Sequence, residues 1–174
     1  MGPGSVPRAV RVGGTSKADL REALRADHVQ LNPAAEALFE DQRFATLPRC
    51  REIEIVARSV ADLGFKSGAT YGELTARAHE SGWVECPLEL GPHLRIQFVD
   101  QLEAPRGIGA TTHRAPPGSI TVASPPLDGR DETAKGFYLM HADGALWLRG
   151  YWSWPGHVWE PEDVFVFCDA NSTA

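Results

Sequence analysis

The sequence predicts a single α+β domain in which short N-terminal helices pack on a mostly antiparallel sheet with a C-terminal β-hairpin. Helix signals lie mainly in the first half of the chain, strand signals follow them, and Asp143-Gly144 joins two strand-like runs. The 174 residues fit one domain, and their composition, 43 % hydrophobic and 23 % charged, is that of a globular protein. We expect residues 1–15 to be a tag remnant and a flexible N-terminus, 16–168 the domain, and 169–174 a flexible C-terminus.

Two short helices are predicted near the N-terminus. Ser16 is an N-cap residue that precedes apolar residues at helical spacing, which predicts a helix over 17–26. Asn32 precedes Pro33, and this pair is typical of a helix start because proline at the first helical position loses no hydrogen bond. Apolar residues then recur at helical spacing up to Phe44, where the second helix is expected to end.

The middle of the chain contains one ambiguous segment and one clear helix start. From residue 51 to residue 65 the apolar positions fit a strand and a helix equally, but β-branched residues favour a strand up to about Arg58. Thr70 and Glu73 have the spacing of a capping box, in which each side chain accepts a hydrogen bond from the other residue's backbone. This predicts a helix that ends near Gly82.

Strands are predicted in the second half of the chain. Leu94, Ile96 and Phe98 alternate after a segment with two prolines, which predicts a strand over 94–99. The aperiodic segment 102–118 predicts a long surface loop. Further strands are expected over 119–124, 136–140, 145–151 and 164–167. Asp143-Gly144 supplies the positive φ that a tight hairpin between the strands over 136–140 and 145–151 requires.

Charge and missing motifs exclude several functions. The net charge is −6 without any basic run, so we expect no nucleic-acid partner. The sequence lacks GxxxxGK[ST], GxGxxG and GxSxG, so it is not expected to be an ATPase, a dinucleotide enzyme or an α/β-hydrolase. It has no long apolar run and no secretory signal, and its cysteines, Cys50, Cys86 and Cys168, are odd in number and far apart. These features predict a cytoplasmic protein with reduced thiols and no membrane partner.

The titratable residues allow an enzymatic hypothesis but do not select a site. The six histidines lack metal-ligand spacing, so we expect no metal and no cofactor. A metal-independent hydrolase, isomerase or cyclase would use acids and bases from the loops. The candidate catalytic residues are Glu89, His93, Asp100, His113 and His157. Cys86 could act as a nucleophile with His93 as its base, but a buried thiol is favoured.

Strand alternation indicates a ligand-binding face. If alternate apolar residues face the core, the predicted strands place arginine and aromatic side chains together on the opposite face. Arginine presents a planar fork to a carboxylate or phosphate, and aromatic rings offer flat surfaces. The candidate ligand-binding residues are Arg95, Gln97, Trp147, Arg149, Tyr151 and Trp152. We therefore expect a domain that binds a small organic ligand, for example an anion, or a protein partner; alternatively, Arg149 stacks on Trp147 or Trp152 and only covers the sheet.

Four stretches of the chain also carry a resemblance. They are Gly68-Ala69-Thr70, the run from Cys86 to Arg95, the run from Lys135 to Leu139, and the run from Leu146 to Tyr151. Through these stretches the chain, from about residue 16 to residue 167, resembles a group of small bacterial proteins that are sometimes labelled helicases. The resemblance implies a bacterial origin and no particular activity. The helicase label conflicts with the absence of a phosphate-binding loop and of a basic groove.

Overall fold

The computed structural model describes residue 6, residues 8–105 and residues 115–173, and these form four helices and ten strands. The helices are α1 (Lys17–Ala26), α2 (Pro33–Glu40), α3 (Tyr71–Glu80) and α4 (Leu90–Gln97). The strands are β1 (Ala9–Val12), β2 (Gln30–Leu31), β3 (Arg51–Ser59), β4 (Ala69–Thr70), β5 (Trp83–Val84), β6 (Ile120–Val122), β7 (Gly136–Ala142), β8 (Ala145–Tyr151), β9 (Val158–Trp159) and β10 (Val164–Asp169). No helix within the described ranges is long and apolar enough to cross a membrane.

The first three helices begin at the residues that their caps predict. The side chains of Ser16 and Asn32 each accept a backbone N–H from the first turn of α1 and α2. Both hydrogen bonds of the Thr70–Glu73 capping box are formed at α3. Helix α2 ends earlier than predicted, but Phe44 is still buried because the loop after the helix also covers the core.

The strands form a large sheet with mainly antiparallel neighbours, which confirms the predicted fold class. The strand order is β1-β3-β10-β6-β7-β8-β2, and β5 pairs with β10 beside this path. Only the β10–β6 and β2–β8 pairs are parallel among the described strands. Strands β7 and β8 form the predicted hairpin, in which Asp143 has a φ of 52° and Gly144 a φ of 73°. Positive φ at both turn residues matches the twist of the strands.

The first face of the sheet is covered by helices. Helices α2 and α4 pack directly on the sheet, and α1 packs on α4. Their side chains and those of the sheet form one buried cluster, which includes Leu20, Leu38, Leu94, Phe137, Leu148 and Val166. The core of the domain therefore lies on this face.

The second face of the sheet carries a smaller core and a row of aligned polar and aromatic residues. Helix α3 and the β4–β9 pair pack on this face around Leu74, Trp159, Phe165 and Phe167. Phe165 of β10 lies opposite Thr121 of β6, Thr121 opposite Tyr138 of β7, and Tyr138 opposite Arg149 of β8. Because directly opposite residues share a face, this row extends from the small core towards β8.

The predicted strand over 94–99 is wrong, because Leu90–Gln97 is helix α4. Pro92 is the third residue of this helix, where its missing N–H costs no intrahelical hydrogen bond. The helix is buried around most of its circumference, from Leu90 to Arg95, so its sequence has no polar face to reveal a helical period. A short apolar run of this kind does not distinguish helix from strand.

The folded part of the chain also extends beyond its predicted limits. The prediction of a flexible segment over 1–15 is wrong for Ala9–Val12, which forms β1 and pairs with β3. The side chain of Gln97 accepts from the backbone N–H of Arg11 and donates to its carbonyl oxygen, so it covers the outer edge of β1. At the other end, Asp169 belongs to β10, and the Ser172 hydroxyl accepts a backbone hydrogen bond from β3.

Candidate functional site

A cavity of about 500 Å³ opens on the second face of the sheet. We call it the larger cavity because a smaller one adjoins it. Thr121, Tyr138 and Arg149 contribute to it from the aligned row on β6, β7 and β8. Most of its other lining residues come from the end of β8 and the segment that follows it, and these are Tyr151, Trp152, Ser153, Trp154, His157 and Trp159. The rest of the lining consists of Asn32, Ala115–Pro116, Asp131 and Gly150.

Arg149 lines this cavity, and its guanidinium group contacts two aromatic rings. Its Cζ atom is 5.3 Å from the ring centroid of Trp147 and 5.9 Å from that of Tyr138. The predicted contact with Trp147 is therefore present as a cation–π contact, which does not supply a hydrogen-bond acceptor to the N–H donors of the guanidinium. The Nε atom is buried and has no hydrogen-bond partner, and no described carboxylate pairs with the group.

The tryptophans of the cavity belong partly to the core and partly to the surface. The ring of His157 lies edge-on to both Trp154 and Trp159, at centroid distances of 4.9 and 4.8 Å. Trp159 is buried against Phe165, and its Nε1 atom has no hydrogen-bond partner among the described residues. Trp152 and Trp154 are about half exposed, at 54 % and 46 %. Core packing therefore accounts for Trp159 but not for the two exposed rings.

A second, smaller cavity of about 290 Å³ adjoins the larger one and shares Tyr151, Ser153, Trp154 and Trp159 with it. The residues that line only the smaller cavity are Thr70, Tyr71, Gly72, Ser124, Pro126, Asp128, Gly129, Lys135 and Pro155. Ser124 is 1 % exposed, and its Oγ atom has no hydrogen-bond partner in the described part of the chain.

Half of the unpartnered buried polar atoms of the described residues belong to residues that line these two cavities. The described residues contain six buried side-chain nitrogen or oxygen atoms without a hydrogen-bond partner. Three of the six, Arg149 Nε, Trp159 Nε1 and Ser124 Oγ, belong to residues that line the two cavities. A buried polar atom without a partner costs free energy, so these three atoms are the sites at which an added hydrogen-bond partner would have the largest effect.

Two tyrosines of the site are neutral phenols. The Tyr71 hydroxyl is 2.6 Å from Glu85 Oε1 and 3.1 Å from the Ser124 carbonyl oxygen, so it donates a hydrogen bond to one of these two oxygens. Burial raises the pKa of Tyr71 and Tyr151 well above the ordinary value, and the Glu85 carboxylate acts in the same direction. Neither phenol is therefore ionised at neutral pH.

The predicted ligand-binding residues divide into two groups. Arg149, Tyr151 and Trp152 line the larger cavity, and Trp147 contacts it through Arg149. The prediction that Arg95 and Gln97 share this face is wrong, because both belong to α4 on the first face.

Arg95 is fully buried in α4 and has its own partners. It donates to Gln101 Oε1 at 2.6 Å and to the carbonyl oxygen of Phe98. Burial lowers the pKa of Arg95 to about 10. The guanidinium is therefore part of the core and not of a ligand site.

The five candidate catalytic residues do not form one site among the described residues. Glu89 Oε2 lies 3.5 Å from His93 Nε2 in α4, and both side chains are buried. Each of the two also accepts a backbone N–H, from Leu47 and Gly13 respectively, so the pair holds two loops against the helix. His157 lines the larger cavity, Asp100 is exposed after α4, and His113 lies outside the described residues.

The cysteines and the remaining candidate groups add no further chemistry. Cys86 and Cys168 are buried without a disulfide, and burial raises the pKa of the Cys86 thiol well above its ordinary value. A thiolate nucleophile at Cys86 is therefore unfavourable. No group of three His, Cys, Asp or Glu side chains in the described ranges could hold a metal ion.

Comparisons with protein-family models, curated proteins and solved structures give no match. The function is therefore argued from the chemistry of the two cavities.

Proposed function

We propose that this protein is a noncatalytic binding domain for a small organic monoanion, whose carboxylate pairs with Arg149 in the larger cavity. The observation that carries the proposal is the buried Arg149 Nε without a partner. A guanidinium offers two parallel N–H donors that match the two oxygens of a carboxylate. Because Trp147 and Tyr138 contact the guanidinium, the group is already positioned and loses less entropy on binding.

The surroundings of Arg149 favour a single negative charge. Asp131 lines the same cavity, and the whole chain carries a net charge of −6. Both would repel a ligand with several negative charges. The remaining lining is largely aromatic, which suits an apolar ligand body. A concave site that combines aromatic rings with polar groups also favours a small molecule over a protein partner.

The proposal is tested by thermal unfolding in the presence of arylalkanoates, with 4-phenylbutyrate compared with its uncharged amide. A ligand at a hundred times its Kd stabilises the folded state by about 2.7 kcal/mol, which raises the Tm of a chain of this size by several degrees. We expect this shift for the acid, a smaller one for the amide, and none for the acid with Arg149→Met.

Arg25→Met is the matched control, because Arg25 is exposed in α1 and, among the described residues, pairs only with Glu22. This variant is expected to keep the full shift. Equal shifts for acid and amide, or an unchanged shift in Arg149→Met, would overturn the proposal.

The alternative function, a small metal-independent enzyme, has weaker support. Its best pair is Glu89 with His93, but both side chains are buried and each accepts a hydrogen bond from a neighbouring loop. A general base must reach a substrate proton, and this pair contacts backbone instead.

A further inference from the structure

We infer that the smaller cavity is a subsite for an aromatic ring, so that the ligand is an arylalkanoate whose ring carries a hydrogen-bond acceptor. This inference rests on the proposed function, because Arg149 would hold the carboxylate of the same molecule. The two cavities share four lining residues, which are Tyr151, Ser153, Trp154 and Trp159. A ligand that extends past these residues therefore contacts both cavities.

The charged residues at the smaller cavity already have partners. Asp128 accepts hydrogen bonds from Arg43 at 2.6 Å and from Arg130 at 3.1 Å, and Arg43 holds its pKa below the ordinary range. Lys135 donates to the backbone carbonyl oxygen of Arg130. The rest of the lining is predominantly apolar. An uncharged, apolar group therefore fits this cavity better than a second charge.

Two buried polar atoms specify what that apolar group must carry. Trp159 is 5 % exposed, and its unpartnered Nε1–H can only donate a hydrogen bond. The Ser124 hydroxyl is also buried and unpartnered, and it can donate as well. A ring with one acceptor atom would satisfy a donor that otherwise remains unpaired. The rings of Tyr151 and Trp159 lie edge to face at 87° and 5.6 Å, so they offer a ring both a face and an edge.

The spacing along β8 sets the length of the ligand. Arg149 and Tyr151 are two residues apart on the same face of this strand, a separation of about 7 Å. Benzoate has no spacer between carboxylate and ring and is too short for this distance. A chain of three methylene groups, as in 4-phenylbutyrate, brings the ring to about this separation.

The affinities of benzoate, 4-phenylbutyrate and 4-(pyridin-3-yl)butyrate, measured by titration calorimetry, test the inference. We expect 4-phenylbutyrate to bind about tenfold to a hundredfold more tightly than benzoate, the effect of burying one ring. The pyridyl compound should bind more tightly still, and Trp159→Phe should remove this additional gain because it removes the indole N–H.

Two glycines allow the smaller cavity to be filled without touching Arg149. Gly72 and Gly129 both line it, and a Cβ built on either has no heavy atom within 4 Å. Gly72→Leu and, independently, Gly129→Leu should reduce the affinity for 4-phenylbutyrate to about that of benzoate. Ala76→Leu is the control, because it adds a leucine at an exposed position of α3 that lines neither cavity.

The outcomes separate the two proposals. The ring subsite is wrong and the anion site stands if benzoate and 4-phenylbutyrate bind equally and both need Arg149. The same conclusion holds if neither Gly72→Leu nor Gly129→Leu lowers the affinity for 4-phenylbutyrate. If no arylalkanoate binds in an Arg149-dependent manner, the anion site is wrong and the subsite fails with it.

Discussion

Arg95 and Arg149 are two guanidinium groups without a carboxylate partner among the described residues, and their surroundings give them different roles. Arg95 donates to Gln101 and Phe98 from its two terminal nitrogens, although its Nε atom is buried without a partner, as is that of Arg149. Arg149 donates to no described residue, although its Nε atom is buried. Arg149 lines the larger cavity, whereas Arg95 is fully buried and lines neither cavity, so an external anion could pair with Arg149 but not with Arg95.

Glu89 is expected to contribute to stability through its hydrogen bond to the Leu47 backbone N–H at 2.7 Å. Glu89→Ala leaves this N–H without an acceptor and should lower the free energy of unfolding by about 1–3 kcal/mol. Glu89→Gln keeps an acceptor oxygen and should cost less. Urea unfolding of the three proteins measures the order. If Glu89→Ala were as stable as the native protein, the hydrogen bond to Leu47 would not contribute to stability. Glu89 would then again be a candidate catalytic acid or base.

At the scale of single elements, the features that depend on interactions between nearby residues were predicted correctly. The caps at Ser16, Asn32 and Thr70 and the turn at Asp143-Gly144 act within a few residues, and all four are confirmed. Helix α4 could not be predicted from its periodicity, because it is buried around most of its circumference.

The site could be predicted only where it follows one strand. Arg149 and Tyr151 alternate along β8, and Trp152 follows directly, so their pattern is visible in the sequence. Tyr71 and Ser124 reach the smaller cavity because α3 folds back over the sheet. Their approach depends on contacts between distant segments, which no local pattern encodes.

The β7–β8 turn is expected to be sensitive to the residue at position 144. Gly144 has a φ of 73°, and its Cβ position is open, so a substitution there costs backbone energy without a steric clash. Gly144→Val should lower the free energy of unfolding by about 1 kcal/mol or more and weaken ligands at Arg149, whose position depends on this register. Gly144→Asn, which tolerates positive φ better, is the control and should cost less. Equal Tm values for valine and glycine at this position would contradict the turn geometry.

For the whole molecule, Asn32 and Gly150 connect the N-terminal helices to the C-terminal hairpin. The Asn32 side chain donates to the Gly150 carbonyl oxygen at 3.0 Å and accepts from the Gly150 N–H at 2.8 Å. The same Asn32 oxygen also caps α2 by accepting from Ala35. Both Asn32 and Gly150 line the larger cavity. The junction that joins the two parts of the chain is therefore also part of the proposed ligand site.

Gly150→Ala is expected to separate α2 from β8. Its Cβ would lie 2.6 Å from the carbonyl carbon of Ala34 and 2.7 Å from the nitrogen of Ala35, and these backbone atoms cannot rotate away. The helix must shift and the two Asn32 hydrogen bonds must lengthen, so we expect a loss of about 2–4 kcal/mol in urea unfolding and weaker binding at Arg149. Gly72→Ala makes the same chemical change where the Cβ meets nothing within 4 Å, in the first turn of α3, and should leave stability unchanged or raise it by up to about 1 kcal/mol. Equal unfolding free energies for the two variants would show that α2 does not depend on close approach at Gly150.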